Sequence, residues 1–297
     1  MEITKTAIVS MVGRPNVGKS TLTNKLVGRK VAIVSNKPQT TRTRITGLLN
    51  KDGCQYVFLD TPGLHKPRSR LGDYMVKVVE DTVSEVDVAA LIVEPVANVG
   101  APEEKLIEQI KAANIPAVLV INKIDTVKHE DLLAVIAAYA ARHDFAAVLP
   151  VSARTGKNLD ELLDEFGQFA LEGPQLFPED MVSDQPEKQM AAEVIREKML
   201  LLLDREVPHG VAVGIEQMQR RENGTVALYA TIYCEKASHK GIIIGKGGAM
   251  LKKIGELARR DLERDWNTKV YLDLWIKVKE DWRNNQYQMR NFGYQDE

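Results

Sequence analysis

The chain has 297 residues, 44% hydrophobic and 27% charged, with a formal net charge of −1. This is the balance of a soluble globular protein with one large domain or two ordinary ones, and no run reaches the eighteen or so apolar residues that a membrane span needs. The opening MEITKTAIVSMVG has no basic region ahead of a long apolar stretch, so no export signal is expected; the two distant cysteines, Cys54 and Cys234, exclude a disulfide framework and suit a reducing, cytoplasmic compartment.

Residues 7–12 (AIVSMV) are nearly all apolar, as a strand covered on both faces should be. They run into Gly13-Arg14-Pro15-Asn16-Val17-Gly18-Lys19-Ser20-Thr21, where GxxxxGKS opens a helix over 19–27. Strand, glycine loop and helix in that order make a phosphate-binding loop. Backbone N–H groups of Gly13, Asn16, Val17 and Gly18 can face phosphate oxygens, helped by the positive helix N-terminus. Lys19 would reach the β- and γ-phosphates and Ser20 would hold Mg²⁺. Next comes Pro38-Gln39-Thr40-Thr41-Arg42. One threonine would close over the γ-phosphate and complete the Mg²⁺ shell; order alone does not choose between Thr40 and Thr41, and Thr41 is carried forward as the candidate.

A strand over 56–60 (YVFLD) ends in Asp60-Thr61-Pro62-Gly63. Asp60 is placed to meet Mg²⁺ through water, and the Gly63 N–H to touch the γ-phosphate. Catalytic candidates are therefore Lys19, Thr41 and Gly63. Leu64 follows where many switch GTPases carry a glutamine, so the attacking water must be positioned by something else, and slow turnover is expected. A helix over 71–85, a strand over 88–93 and a helix over 103–112 lead to a strand over 117–122 and Asn122-Lys123-Ile124-Asp125. An aspartate here accepts two hydrogen bonds from guanine, which adenine cannot supply. That selects GTP and GDP over ATP and disfavours a nucleotide kinase. A helix over 130–142, a strand over 147–152 ending in Ser152-Ala153-Arg154, and a helix over 159–169 complete the half. The Ser152–Arg154 backbone is placed to meet the guanine carbonyl. Strands alternating with helices predict an α/β fold, a doubly wound and mostly parallel sheet over 1–170, with its ligand at the carboxyl ends of the strands.

Residues 171–186 hold three prolines and several acids without a period, and read as a linker. The stretch 187–297 then gives a smaller α+β domain: a helix over 187–203, strands over 211–219 and 225–234, a glycine turn, a helix over 249–263, a strand over 269–278 and a terminal helix. Between 236 and 279 there are eleven Lys and Arg against five Asp and Glu, an excess that suits an anionic partner. Ile244-Gly245-Lys246-Gly247-Gly248, with Lys252 and Lys253 beyond, has the form of a turn that lets a nucleic-acid backbone approach bare glycines while lysines meet its phosphates. Trp266, Trp275 and Trp282 are expected to pack rather than to stack on bases.

GRPNVGKS, QTTR, DTPG, NKID and SAR, in this order, resemble the motifs of the bacterial Era family, and IIIGKGG with its basic helix resembles a type II KH domain; the resemblance spans nearly the whole chain. It implies an RNA-binding GTPase that binds the 3′ end of small-subunit (16S) ribosomal RNA and assists assembly of the 30S subunit. It also implies a monomer that associates peripherally with the inner face of the cell membrane. In related GTPases with an asparagine at the place of Asn16, K⁺ supplies charge beside the phosphates, so K⁺ joins GTP/GDP and Mg²⁺ as an expected cofactor. The alternative is a GTP-gated docking module whose KH-like domain meets protein.

Overall fold

The protein is described by a computed structural model covering residues 3–294. It forms two compact units that divide between residues 184 and 185, with residues 68–71 grouped with the second. Each is described by itself.

The first unit contains β1 (Lys5–Val12), α1 (Lys19–Val27), β2 (Ile45–Lys51), β3 (Cys54–Asp60), α2 (Arg70–Val83), β4 (Val88–Val93), α3 (Ala101–Ala113), β5 (Ala117–Ile121), α4 (Asp131–Ala140), β6 (Ala147–Pro150), α5 (Leu159–Gly167) and β7 (Leu171–Glu172). The sheet runs β2-β3-β1-β4-β5-β6, and β7 pairs antiparallel with the start of β1. β3, β1, β4, β5 and β6 are parallel; β2 is antiparallel to β3. Residue alternation along one strand shows why both faces must be covered. Val88, Ala90 and Ile92 of β4 join a core with Leu22 of α1 and Phe166 of α5. Their neighbours Ala89, Leu91 and Val93 join the opposite core with Val79 of α2, Leu106 of α3 and Val135 of α4. A period of two on a fully apolar strand thus feeds two layers of helices.

β2 lies in a stretch to which the sequence reading gives no element. The turn joining it to β3 is Asp52-Gly53, with φ of 51° and 76°. Two successive left-handed residues make the tight hairpin turn that Asp-Gly favours. The stretch 171–186, read as a linker, makes specific contacts on the sheet. Gly173 N–H donates to Thr4, Val182 C=O accepts from Leu48 N–H on β2, and Gln55 exchanges side-chain hydrogen bonds with Phe177 and Leu176. Phe177 and Met181 pack on Leu48, Val57 and Leu59. The segment covers the open edge of β2, a common way to protect an unpaired strand. Its irregular pairing explains why no period is visible.

The second unit contains α6 (Glu187–Leu202), β8 (Val211–Arg220), β9 (Val226–Cys234), α7 (Ala237–Ile244), α8 (Ala249–Trp266), β10 (Val270–Val278) and α9 (Gln286–Asn291). Its sheet runs β10-β9-β8, with β9 antiparallel to β8 and parallel to β10. One helix more is present than the sequence reading gives: α7 occupies what reads as the approach to a glycine turn. Three consecutive isoleucines look strand-like, but Ile243 is buried in the core as a helical residue. Packing overrides the β preference of that run. The tryptophan reading holds for Trp282, which is fully buried with its indole N–H on Gly210 C=O at 3.0 Å. It fails for Trp275, which is 63% exposed on β10. Trp275 alternates with Leu274 and Ile276, which face the core, and so must point the other way.

Candidate functional site

A cleft of about 340 Å³ lies at the carboxyl ends of β1 and β3, lined by Asn16, Lys19, Ser20, Thr41 and Gly63 among others. The loop geometry is imposed by close approach. Gly18 has φ of 101°, and a Cβ there would lie 2.3 Å from the Asn122 side-chain nitrogen. Asn122 needs that proximity: it donates to Val17 C=O at 2.8 Å and accepts from Ala153 N–H at 3.0 Å. One buried amide thus ties Gly13–Thr21, the NKID segment and the SAR segment together. Lys123 ties them again, donating to Asn16 C=O at 2.6 Å and pairing with Glu94 at 2.5 Å.

Lys19 is buried and donates to the Gly13 and Arg14 carbonyls at 3.1 and 3.0 Å. Burial lowers its pKa to about 8, against the pull of Asp60. Asp60 is wholly buried, and burial raises its carboxyl to about 6 although Lys19 and a Ser20 hydrogen bond oppose the shift. Ser20 Oγ donates to Asp60 Oδ2 at 2.5 Å. With its proton so committed, Ser20 accepts from Thr41 Oγ1 at 2.9 Å. Thr40 faces elsewhere, bonded to Lys37 C=O at 2.6 Å and Ser35 Oγ at 2.7 Å. The structure therefore places Thr41, not Thr40, beside Ser20. Asp60 Oδ1 is buried with no hydrogen-bond partner among the described residues. An orphaned carboxylate oxygen beside two hydroxyls is the hard-oxygen donor set that Mg²⁺ takes. Gly63 sits over Pro15, and the Leu64 N–H beyond it donates to Gly13 C=O at 3.1 Å. Thr61 Oγ1 donates to Met11 C=O at 2.8 Å, fixing the Asp60–Thr61–Pro62–Gly63 turn to β1.

Asp125 accepts from Ser152 Oγ at 2.5 Å on one oxygen, and from Arg154 Nε and Nη2 at 2.8 and 2.5 Å on the other. These bonds, Ser152 first, hold its carboxyl below the ordinary range. The SAR segment thus reaches this site through side chains; the Ala153 N–H is engaged by Asn122. Sequence reading missed a further brace. Glu103, fully buried in the first turn of α3, pairs with Arg14 of the phosphate loop, and burial pushes its carboxyl up. An acid at a helix N-terminus is too common a pattern to single out without the fold.

In the second unit Gly245 ends α7 and Gly248 precedes α8. Beside this turn lies a groove of about 450 Å³ with a floor of Leu251, Leu272 and Leu274 and a rim carrying Lys252, Arg259 and one acid, Glu256, which lies 4.0 Å from Lys252. Ile244 packs against the core beneath; Lys246, Lys252 and Lys253 are exposed. An apolar floor with exposed lysines and an arginine beside it suits unstacked bases and their phosphates.

Residues 8–123 match the family model of the 50S ribosome-binding GTPases, and residues 206–283 match that of the KH domain. The chain is 51% identical over 290 residues to GTPase Era of Ruminiclostridium cellulolyticum, covering 98% of this chain and 97% of that protein. The chain belongs to the Era family of GTPases. Era of Alkaliphilus metalliredigens is 48% identical over 292 residues, covering 98% of this chain and 99% of the relative. Two crystal structures of Era superpose with a TM-score of 0.94 at 39% identity, each covering 98% of this chain and 99% of its own. One is a complex with MgGDPNP and nucleotides 1506–1542 of 16S ribosomal RNA; the other is a point variant of Aquifex aeolicus Era bound to GDP and AlF4⁻. The expected α/β GTPase fold with a C-terminal KH domain is therefore present, and an Era family member is a GTPase.

Proposed function

We propose that this GTPase uses GTP hydrolysis in the first-unit cleft to time the hold of its KH unit on small-subunit ribosomal RNA near the 3′ end, in the service of 30S assembly. The observation that carries the reading is the GKGG turn beside an apolar-floored groove with Lys252 and Arg259 on its rim, on a chain whose relative binds nucleotides 1506–1542 of 16S RNA. Asp125 reads the guanine edge. Lys19 and the loop N–H groups hold the phosphates. Ser20, Thr41 and Asp60 would hold Mg²⁺, which supplies charge neutralisation at the β,γ-phosphates. Asn16 donates its amide N–H to Asn36 C=O at 2.9 Å, which leaves its carbonyl oxygen as the ligand atom for K⁺ beside the phosphates. A monomer in the cytoplasm, peripherally associated with the inner face of the membrane, completes the reading; among the described residues no helix is long and apolar enough to cross a bilayer.

Crosslinking in cells followed by identification of the bound RNA tests the function. The expected product is the 3′ region of 16S RNA; recovery of protein adducts without RNA would sink the reading. Hydrolysis compared in potassium and sodium buffers of equal ionic strength tests the cation, with faster turnover expected in potassium.

A further inference from the structure

The first sheet brings the carboxyl ends of β1, β4 and β5 side by side, with β4 in the middle. β1 leads into the phosphate loop, and β5 leads into Asn122-Lys123-Ile124-Asp125. β4 ends at Val93, so Glu94 is the first residue beyond the middle strand. Backbone pairing fixes its place. Val93 lies in register with Ile121, and Val93 C=O accepts from Asn122 N–H at 2.9 Å. Glu94 C=O accepts from Val96 N–H at 2.8 Å, which turns the chain at once.

Lys123 and Asn16 therefore lie beyond strands that are not neighbours. The Lys123 side chain bridges them. Its ammonium meets Asn16 C=O at 2.6 Å and the Glu94 carboxylate, from the strand between, at 2.5 Å. Lys123 also lines the cleft, two residues before Asp125. A lysine ammonium is a point charge on a flexible four-carbon stem, and holding it in one pose costs rotamer entropy. The carbonyl gives it one neutral acceptor. The carboxylate adds an ion-to-ion hydrogen bond, the stronger kind. Glu94 and Lys123 are each 36% exposed, so the pair stands at the surface of the unit and fills neither core.

We propose that Glu94 is a positioning residue for guanine nucleotide binding: it holds the Lys123 ammonium on the phosphate loop, and so holds the guanine-reading segment and that loop to one another. Glu94 acts through Lys123 alone. A site set in this way needs less ordering when the nucleotide binds. GDP and GTP share the base and the phosphates next to it, so the gain falls on both alike and belongs to binding rather than to the chemical step.

The inference rests on guanine nucleotides occupying this cleft, so GDP affinity of the unmodified full-length protein is measured first; no binding there would overturn that reading, and this role with it. Glu94→Ala and Glu94→Gln are then compared, each alone and together with Lys123→Met. Glu94→Ala is expected to weaken GDP and GDPNP by the same factor, about fivefold, the upper end for a partly exposed ion pair. KM for GTP rises while kcat stays within about twofold, which separates lost positioning from lost folded protein, since an unfolded fraction lowers kcat and leaves KM alone. Glu94→Gln keeps an acceptor for the ammonium and is expected to fall between the unmodified protein and Glu94→Ala. In the Lys123→Met background Glu94→Ala adds nothing, because no ammonium remains to be held. GDP affinity of Glu94→Ala within about twofold of the unmodified value would overturn the proposal. The same loss from Glu94→Ala with and without Lys123→Met would also overturn it, because Glu94 would then act by a route other than Lys123.

Discussion

Two threonines in succession show what a residue pattern conceals and what a fold decides. Thr41 donates to Ser20, which in turn donates to Asp60, whereas Thr40 ties up its own loop. Thr41→Ala is expected to weaken binding of a non-hydrolysable GTP analogue by about tenfold, the scale of one hydrogen-bonded polar contact, with GDP affinity little changed. Thr40→Ala should leave the ratio of the two affinities as it is. Fluorescent-nucleotide displacement by each analogue measures both, and equal effects from the two variants would undo the assignment. Asp125 was legible in the sequence because NKID follows a buried strand; Arg154 was named only for its backbone, and its side-chain pairing with Asp125 was not legible, since an arginine after Ser-Ala has no pattern that points back 29 residues. Asp125→Asn replaces one acceptor with a donor and so suits the xanthine carbonyl in place of the guanine amine. GTP affinity is expected to fall by about 10²-fold while XTP affinity rises. Competition against labelled GDP reads this directly, and ATP competing as well as GTP with the unmodified protein would contradict the base-reading role.

The helices and strands that carry long apolar periods were legible nearly to the residue, because burial on both faces of the first sheet leaves little choice of register. Three elements were not. β2 has a mixed polar face, although Asp52-Gly53 behind it is the signal that marks the hairpin. The 171–184 segment owes its place to single hydrogen bonds to β2 and β3, and such pairing has no period. α7 is short and isoleucine-rich, so local preference pointed away from helix. The turn after α7 gives a sharp test of element geometry. At Gly245, with φ of 72°, a Cβ would lie 2.7 Å from Met250 Cβ and 2.9 Å from Met250 N; at Gly247, with φ of 60°, it would meet nothing within 4 Å. Gly245→Ala carries both a steric clash and a backbone cost, together about 2–3 kcal/mol, whereas Gly247→Ala carries only the left-handed cost of about 1 kcal/mol. All three tryptophans lie in the second unit, so denaturant unfolding followed by tryptophan fluorescence reports that unit alone. A Gly247→Ala variant as unstable as Gly245→Ala would mean that the Met250 contact is not what confines residue 245.

On the scale of the molecule, the chain carries two chemistries on two separately cored units, and function requires that they inform each other. Allostery is a coupling free energy: GTP shifts RNA affinity only if the RNA-binding form prefers one nucleotide, and RNA must then shift nucleotide affinity by the same factor. The Thr40–Arg42 segment is the element placed to sense the γ-phosphate, since Thr41 is bonded to Ser20 and Arg42 is fully buried. Changing Lys246 and Gly247 together to Asp puts two negative charges where phosphates approach and adds a Cβ at a left-handed position. RNA affinity for the 3′ end of 16S RNA is expected to fall by at least about tenfold and to lose part of its salt dependence, because one phosphate contact is gone and repulsion is added. Guanine nucleotide affinity without RNA is expected to remain unchanged, since residues 13–21 and 122–125 are untouched. In the unmodified protein, RNA affinity measured with GDP and with GDPNP should differ by about fivefold or more, the lower end of ordinary allosteric coupling. The reciprocal experiment, GDPNP and GDP affinity with and without saturating RNA, must return the same factor. Equal RNA affinities in the two nucleotide states would leave a GTPase and an RNA-binding module that share a chain without a switch, and the timing role would fall while each binding activity stood.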